Sequence, residues 1–211
     1  MSVADREAVL AAYDVSRETA GRLDTYVEQL HRWQTVKNLV GPGTLGDVWR
    51  RHVADALQLL ALAPSARTWV DLGSGAGIPG LILAIAGASR GVEVTLVESN
   101  ARKCAFLTEA VRLTRAPARV HNARIEAVIP ELAGTDVVCA RALASLDQLI
   151  AWTAPLLENG TTGLFPKGRD VDAELTRAAA RWTFRHDLTP SRTDDEARIV
   201  RITALTVPSP R

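Results

Sequence analysis

The chain divides into two parts by the spacing of its apolar residues. In the first part, Leu23, Val27 and Leu30 recur at helical spacing, with charged residues at intervening positions. A second stretch of helical periodicity runs from about residue 47 to residue 63 and stops before a proline. Residues 1–63 are therefore predicted to form helices whose apolar stripes pack against the rest of the protein.

After residue 63, short apolar runs of strand length alternate with segments of helical length. Strands are predicted at 68–70, 92–97, 119–122, 136–140, 161–167, 183–188 and 199–207, and helices at 81–86, 100–113, 145–157 and 170–182. This alternation predicts an α/β fold with a mostly parallel sheet and helices on both faces. The last two strands are expected to add an antiparallel strand at or near one edge. The expected organisation is a single domain over 1–211, with a helical extension (1–63) and a sheet-containing core (64–211).

Composition narrows the function classes only slightly. The formal net charge of +1 gives no overall case for nucleic-acid binding, so such a claim depends on local basic patches. Cys104 and Cys139 stand far apart without metal-ligand spacing, and free thiols in a reducing cytosol are the simplest interpretation. No signal-peptide core or bilayer-length apolar run is present. A cytoplasmic protein without a metal site is expected.

The clearest chemical signal is a glycine-rich turn between the first predicted strand and the helix that follows it. Asp71 closes the strand, and Gly73, Gly75 and Gly77 follow at alternate positions. Glycines permit positive φ and let a ligand lie against bare backbone, and the next helix begins with free N–H groups. Gly75, Gly77 and Gly80 also fit the dinucleotide pattern Gly-x-Gly-x-x-Gly.

Asp71 favours S-adenosylmethionine (SAM) over a dinucleotide at this turn. SAM carries a sulfonium and an ammonium cation and no pyrophosphate, so a carboxylate at the strand end suits SAM and would repel a pyrophosphate. Large methyltransferase families use an acid, an apolar residue and then Gly-x-Gly-x-Gly, and residues 71–77 match that pattern in full. The alternative is an ordinary strand–turn–helix corner without a ligand.

Further candidates lie at the carboxyl ends of the predicted strands, where ligands bind in open α/β sheets. Glu98 ends the second strand and can accept hydrogen bonds from both ribose hydroxyls of a nucleoside, although a solvated turn carboxylate is the alternative. Ile125 and Glu126 follow the third strand, where SAM enzymes commonly contact the adenine; a plain helix start is almost equally consistent. Arg141 follows the fourth strand, where SAM enzymes place groups that face the transferred methyl group and its acceptor. No Asn-Pro-Pro-Tyr or Asp-Pro-Pro-Tyr motif stands there, which argues against an exocyclic amine as acceptor.

These residues together closely resemble a known family over nearly the whole chain. The resemblance is to the bacterial 16S ribosomal RNA guanine-N7 methyltransferases, the glucose-inhibited division protein B or RsmG family. It is most specific in the Gly-Ile-Pro-Gly end of the glycine turn and in the Arg-His pair upstream. The matching segments are Asn38-Leu39, Arg51-His52 with Asp55, Asp71 to Gly80, Arg141-Ala142, Ser145-Leu146 and Lys167-Gly168.

The resemblance implies a Rossmann-like class I SAM-dependent methyltransferase with a seven-stranded sheet. Its reaction would be methyl transfer from SAM to N7 of a guanine, position 527 in the 530 loop of 16S ribosomal RNA. The partner would be 16S RNA or the 30S particle, with no membrane and no metal, and a monomer is expected. Cofactor contacts carried over from the family fall on Gly73, Ile78, Ile125, Glu126 and Arg141, in addition to Asp71, Gly75, Gly77 and Glu98 from the motifs.

Arg141 is the predicted catalytic residue. It follows a strand of small apolar residues, where a buried guanidinium needs an anionic or π partner. The candidates are the SAM carboxylate, a strand-end carboxylate such as Asp71, or the guanine; the alternative is an Arg–Asp pair that only braces the loop. N7 of guanine has an in-plane lone pair, so the enzyme needs no strong base and must chiefly hold the methyl group in line with it.

RNA contacts are expected from two groups of residues, although a solvated charged face is the alternative for either group. Between residues 102 and 124 there are six basic residues and one acid. The candidates around the pocket are Asn38, Arg51, His52, Lys167 and Arg198. The rival functions are a small-molecule methyltransferase, an NAD(P)-dependent reductase, for which the chain lacks a Tyr-x-x-x-Lys pair, and a nucleotide-binding regulatory protein.

Overall fold

The described part of the chain forms a seven-stranded sheet with helices on both faces. The computed structural model describes residues 3–34, 39–41 and 45–206. The strands are β1 (Thr68–Leu72), β2 (Glu93–Glu98), β3 (Ala118–Asn122), β4 (Val137–Cys139), β5 (Thr162–Lys167), β6 (Thr183–Pro190) and β7 (Arg198–Thr206). The α-helices are α1 (Val3–Ala12), α2 (Arg17–Gln34), α3 (Asp55–Leu62), α4 (Gly80–Gly87), α5 (Ala101–Thr114), α6 (Ile125–Val128), α7 (Leu146–Glu158) and α8 (Val171–Ala179).

The strand order is β3-β2-β1-β4-β5-β7-β6. Neighbouring strands from β3 to β5 are parallel, whereas β7 pairs antiparallel with both β5 and β6. The predicted fold class, a mostly parallel sheet with one antiparallel strand near an edge, is confirmed. Strand β1 lies between β2 and β4, so the crossovers run to opposite sides of it. This reversal opens a crevice at the carboxyl end of β1, where open α/β sheets bind ligands.

Helix α4 consists of apolar residues and glycine, and almost all of them are buried. Leu81, Ile82, Leu83 and Ile85 have no exposed surface. The helix packs on β1 and β2 and is covered by α2 and α3. Within the described residues, no helix is both long enough and apolar enough to cross a membrane.

The predicted N-terminal extension consists of helices packed against α4 and α5. Val9, Leu23 and Trp49 belong to the same hydrophobic cluster as Leu81 and Phe106. The segment predicted as one helix from about 47 to 63 is instead a π-helical turn, Trp49–Ala54, followed by α3. The wider turn changes which side chains face inward. The predicted boundary after residue 63 falls between α3 and β1, and the single-domain organisation stays a prediction.

Two helices that follow strands begin with side-chain caps beside the crevice. The Asn100 side chain accepts hydrogen bonds from the N–H groups of Arg102 and Lys103 at the start of α5. The Ser145 hydroxyl accepts one from the N–H of Gln148 at the start of α7. Such caps satisfy donors that the helix cannot pair internally, so the chain leaves β2 and β4 at defined points.

Candidate active site

The turn after β1 is held in the left-handed region by three glycines. Gly73, Gly75 and Gly77 have φ values of +66°, +54° and +82°, which residues with a Cβ rarely adopt. A Cβ at Gly73 would lie 2.5 Å from Leu143 Cδ1, so the loop after β4 closes over this turn. The predicted glycine turn thus lies at the carboxyl end of β1, next to the β4 loop.

The Asp71 carboxylate lies beneath the glycine turn rather than on its surface. It is fully buried, and its Oδ2 accepts a hydrogen bond from the Gly80 N–H at 3.1 Å. A Cβ at Gly80 would lie 2.6 Å from Oδ2, so only glycine lets α4 begin against this carboxylate. Burial raises the pKa of Asp71 to about 7, against the opposing effect of the Gly80 hydrogen bond. Asp71 therefore braces the start of α4, and its contact with SAM stays a prediction.

The raised pKa of Asp71 predicts a specific pH dependence of stability. The ordinary pKa is 3.8, so the folded state binds this proton more tightly than the unfolded state does. The resulting stabilisation is complete below about pH 4 and is lost as the pH rises through about 7. Asp71→Asn keeps an acceptor for Gly80 but cannot ionise. Between pH 5 and 7, the free energy of unfolding of the wild type should fall relative to the variant by up to about 1.4 kcal/mol per pH unit.

Urea unfolding of wild type and Asp71→Asn in the same buffers from pH 5 to 8 measures this difference. Other titrating groups are common to both proteins and cancel in the comparison. Two stability curves that stay parallel throughout would show that Asp71 does not titrate in this window.

Glu98 accepts a backbone hydrogen bond at each carboxylate oxygen, and one of the two comes from the glycine turn. Its side chain lies at the end of β2 and the residue is only 8% exposed. Oε2 accepts the Gly75 N–H at 2.9 Å, and Oε1 accepts the Asn100 N–H at 2.8 Å. The alternative of a solvated turn carboxylate is therefore wrong. The carboxylate lies next to the Gly75 backbone, and its contact with a ribose stays a prediction.

The residues expected near the adenine lie at the start of α6, just after β3, which pairs with the strand that Glu98 ends. Ile125 is partly buried and packs on the cluster that contains the inner residues of α7. The Glu126 carboxylate accepts a hydrogen bond from the indole N–H of Trp152 at 2.9 Å. An apolar wall and a fixed carboxylate suit a purine ring and its polar edge, and their contact with adenine stays a prediction.

Arg141 is held by two side chains from the N-terminal region, and Asp71 is not among the partners found. Its Nε lies 3.0 Å from Asp55 Oδ2, and its Nη1 lies 3.0 Å from His52 Nδ1. The next residue, Ala142, has φ +52°, a strained conformation for a residue with a Cβ. Asp71, one of the three candidate partners of Arg141, is thus not its partner among the described residues; the carboxylate paired with Arg141 is that of Asp55, because α3 begins near the end of β4 and Asp71 points toward α4.

His52 is a neutral acceptor in this cluster. Burial and the neighbouring Arg141 cation lower the pKa of His52 to about 4. Nδ1 lies 3.0 Å from Arg141 Nη1 and also 3.0 Å from the Arg51 carbonyl oxygen. Because a guanidinium can only donate, a hydrogen bond from Arg141 requires the tautomer with its proton on Nε2. The residue is 5% exposed, so the prediction that His52 contacts RNA is not supported. The π-helical turn directs it inward to Arg141 instead.

A cleft of about 1020 Å³ opens beside Arg141, between the start of α3, the ends of β4 and β5, and the β6–β7 loop. Six basic residues line it, Arg50, Arg51, Arg141, Lys167, Arg177 and Arg198. Six acidic residues line it as well, Asp47, Asp55, Glu174, Asp194, Asp195 and Glu196. The expected basic surface around the pocket is therefore a surface of mixed charge.

The predicted RNA-binding residues have different environments in the structure. Arg51 is exposed at the cleft. The Lys167 ammonium pairs with Glu174 at 2.7 Å and its side chain is 9% exposed, so a phosphate would have to displace this partner. Arg198 donates to the carbonyl groups of Asp195 and Ala197. Asn38 lies outside the described residues.

The basic residues between 102 and 124 form a separate surface at the β3 side of the sheet. Arg102, Arg115, Arg119 and Arg124 are exposed, as the count of basic residues between 102 and 124 suggested. They lie on α5, on β3 and on the flanking loops, away from the cleft beside β5. This arrangement leaves them available for phosphate contacts at some distance from Arg141.

Several site residues had no individual signal in the sequence. Leu143 covers Gly73, the Tyr26 hydroxyl donates to the Ala76 carbonyl at 2.8 Å, and Trp152 fixes Glu126. Tyr26 and Trp152 fall on helical apolar stripes, where core packing is the ordinary interpretation. Only the folded chain brings these side chains to the glycine turn and the crevice.

Comparison with known proteins assigns the family. The family described as rRNA small subunit methyltransferase G (GidB) matches residues 20–196. The ribosomal RNA small subunit methyltransferase G of Methylobacterium radiotolerans is 75% identical over 211 residues, which is 100% of both chains. The protein of that name from Methylorubrum populi is 70% identical over 206 residues, 97% of this chain and 98% of its own.

A solved structure supports the fold. The O-methyltransferase from Bacillus cereus, crystallised with SAH, has a TM-score of 0.58 at 14% identity and covers 84% of this chain and 90% of its own. At this identity the likeness concerns the fold alone. The predicted resemblance and fold class are both confirmed, and the chain belongs to the rRNA small subunit methyltransferase G family.

Proposed function

We propose that this protein transfers a methyl group from SAM to N7 of a guanine in the 16S RNA of the small ribosomal subunit. The observation that carries the proposal is the family match over residues 20–196, with a relative 75% identical over the whole chain whose name specifies small-subunit ribosomal RNA. A cytoplasmic location and a monomeric state stay predictions.

The residues around the glycine turn fit a bound SAM. A Cβ added at Gly75 would meet no atom closer than 3.7 Å, so no neighbouring group crowds the backbone of this residue. Glu98 stands beside this backbone at the end of β2, where a carboxylate can accept hydrogen bonds from ribose hydroxyls. Ile125 offers an apolar surface for the adenine, and Arg141 offers a cation for the carboxylate of SAM. When bound, SAM supplies an electrophilic methyl group on its sulfonium.

Methyl transfer to N7 needs no strong base on the acceptor side. The N7 lone pair lies in the ring plane and carries no proton, so the protein must orient the base rather than deprotonate it. His52 is neutral and buried, with its Nδ1 engaged by Arg141. Methylation leaves positive charge on the purine, which a free guanidinium nearby would oppose. The Asp55 carboxylate offsets part of the Arg141 charge and so weakens this repulsion.

Exposed arginines offer phosphate contacts at the cleft and beyond it. Arg50, Arg51 and Arg177 are exposed along the cleft beside Arg141. The basic surface on α5 and β3 adds further exposed guanidinium groups. Phosphate contacts position a nucleic acid without reading its sequence, so the choice of guanine would be made in the cleft.

Methylation assays with three acceptors test the substrate. We expect 30S particles or 16S RNA lacking the modification to be methylated at least about 100-fold faster than free guanosine, because RNA binding positions the base. The rate at subsaturating RNA should fall as salt rises, because phosphate contacts release counterions. Mass spectrometry of nuclease digests should locate the methyl group on N7 of one guanine.

Two of the rival functions give different results in the same assays. Equal turnover of free guanosine and 30S particles would indicate a small-molecule methyltransferase. SAM binding without methylation of any acceptor would indicate a regulatory protein. A methyl group on an exocyclic amine would contradict the N7 assignment and leave the ribosomal substrate intact.

A further inference from the structure

The Asp55 carboxylate joins three parts of the fold at the predicted catalytic arginine. Oδ2 is 3.0 Å from Arg141 Nε at the end of β4. Oδ1 accepts a hydrogen bond from Gln58 Nε2 on α3 at 2.9 Å and one from the Thr193 hydroxyl in the β6–β7 loop at 2.9 Å. The Asp55 side chain is 12% exposed and that of Arg141 is 24% exposed, so water screens this pair only in part.

The β6–β7 loop is attached to α3 at three successive residues. Gln58 Oε1 accepts the N–H of Arg192 at 3.0 Å, and Gln58 Nε2 lies 3.4 Å from the Ser191 hydroxyl. The Thr193 hydroxyl completes the attachment through Asp55. The loop also lines the cleft with Arg141. A shift of the loop at Thr193 would therefore displace the Asp55 carboxylate, which contacts Arg141.

We propose that Asp55 is a positioning residue that holds Arg141 in its working orientation and couples that orientation to the β6–β7 loop. This inference rests on the proposed methyltransferase function. Asp55 fixes Nε and His52 fixes Nη1, so two of the three guanidinium nitrogens are set by protein groups. A planar guanidinium held at two nitrogens has a defined plane, which its role toward the SAM carboxylate or the guanine requires.

An ordinary brace would act differently from a positioning residue. If the pair only stabilised the loop, its loss would lower the melting temperature without changing the rate of methyl transfer by the folded enzyme. If Asp55 acts through Arg141, its loss should slow methyl transfer in the folded enzyme, and only while Arg141 is present. The two roles are therefore separated by measurements on double variants.

The test is single-turnover methylation of 30S particles by the full-length chain, with SAM binding by calorimetry and thermal melts on each sample. The variants are Asp55→Asn, Thr193→Val and each of them combined with Arg141→Lys. Asp187→Asn is the matched control, because it breaks an Arg–Asp pair with Arg201 on the same hairpin, outside the cleft. Its rate should equal that of the wild type.

We expect Asp55→Asn to lower the single-turnover rate about 10- to 100-fold, as for a misplaced group in an active site. Thr193→Val should lower it by a smaller factor, because it frees the loop but keeps the carboxylate. In the Arg141→Lys background, neither change should lower the rate further. Should Asp55→Asn fail to fold, Thr193→Val carries the test, since it removes only the hydroxyl's hydrogen bonds with Asp55 and Ser191 from a partly exposed side chain.

Three results would overturn the inference. One is a wild-type rate in folded Asp55→Asn, or in Thr193→Val when Asp55→Asn does not fold. Another is that Asp55→Asn or Thr193→Val lowers the rate by the same factor in the Arg141→Lys protein as in the wild type. The third is that the wild-type protein methylates neither 30S particles nor 16S RNA, which contradicts the proposed function and this inference with it. The first two results apply only when the wild-type protein is active, so the assay distinguishes them from the third.

Discussion

Gly73→Val is expected to abolish SAM binding while the protein remains folded. A residue with a Cβ at φ +66° is strained by about 1–2 kcal/mol, which corresponds to a fall in melting temperature of several degrees. The nearest atom to the added Cβ, Leu143 Cδ1 at 2.5 Å, is the end of a flexible side chain that can move aside. A ligand that must lie against the Gly73 backbone has no such freedom. Affinity for SAM, measured by calorimetry, should fall at least about 100-fold, or about 2.7 kcal/mol.

Gly134→Val is the matched control for this prediction. Gly134 has φ +83°, and an added Cβ there would have no neighbour within 4 Å. The control should therefore show the conformational strain and keep wild-type affinity for SAM. Wild-type affinity in Gly73→Val would mean that the ligand does not approach this glycine. Tight binding of NAD by the wild type, without binding of SAM, would contradict the cofactor assignment itself.

Arg141→Lys and Arg141→Ala are expected to impair methyl transfer far more than folding. Lysine keeps the charge, but one ammonium nitrogen cannot reproduce a planar group that contacts Asp55 through Nε and His52 through Nη1. We expect the single-turnover rate on 30S particles to fall about 100-fold for Arg141→Lys and further for Arg141→Ala. The Ala variant also leaves the Asp55 carboxylate without its cation and should melt at a lower temperature.

Arg201→Lys serves as the control for Arg141→Lys. Arg201 forms a similar pair with Asp187 on the β6–β7 hairpin and is more exposed than Arg141. Its substitution should leave the rate unchanged. If both Arg141 variants melt and methylate like the wild type, Arg141 is not a functional residue, and placing the acceptor pocket at β4 loses its main support.

The order of strands and helices was predictable because each depends on local periodicity. The helix after the glycine turn, α4, was predicted at 81–86 and observed at Gly80–Gly87. The segment from 47 to 63 was predicted less well, since a π-helical turn inside an apolar helix leaves the composition unchanged. Helix α8 was predicted to reach residue 182 but ends at Ala179, where the chain turns into β6.

The sequence also predicted which residues stand at the strand ends, but not which way they face. Glu98 was placed correctly at the end of β2, yet its bond to the Gly75 N–H depends on how β1 and β2 pair. Lys167 was expected to face RNA, but Glu174 on the next helix neutralises it. A charge count gives no information on such pairing, because the partners are separated along the chain.

By itself, the sequence determined the class of fold, the glycine turn and the family, because these depend on residue types at short spacings along the chain. The tertiary structure alone decided that Asp71 lies under the turn and that His52 is buried. It also decided that Asp55 joins Arg141 to Thr193, residues 86 and 138 positions away from it along the chain. The physical reason is that a buried ion or hydrogen-bond donor must find its partner wherever packing brings one, and packing brings together residues whose sequence separation carries no pattern.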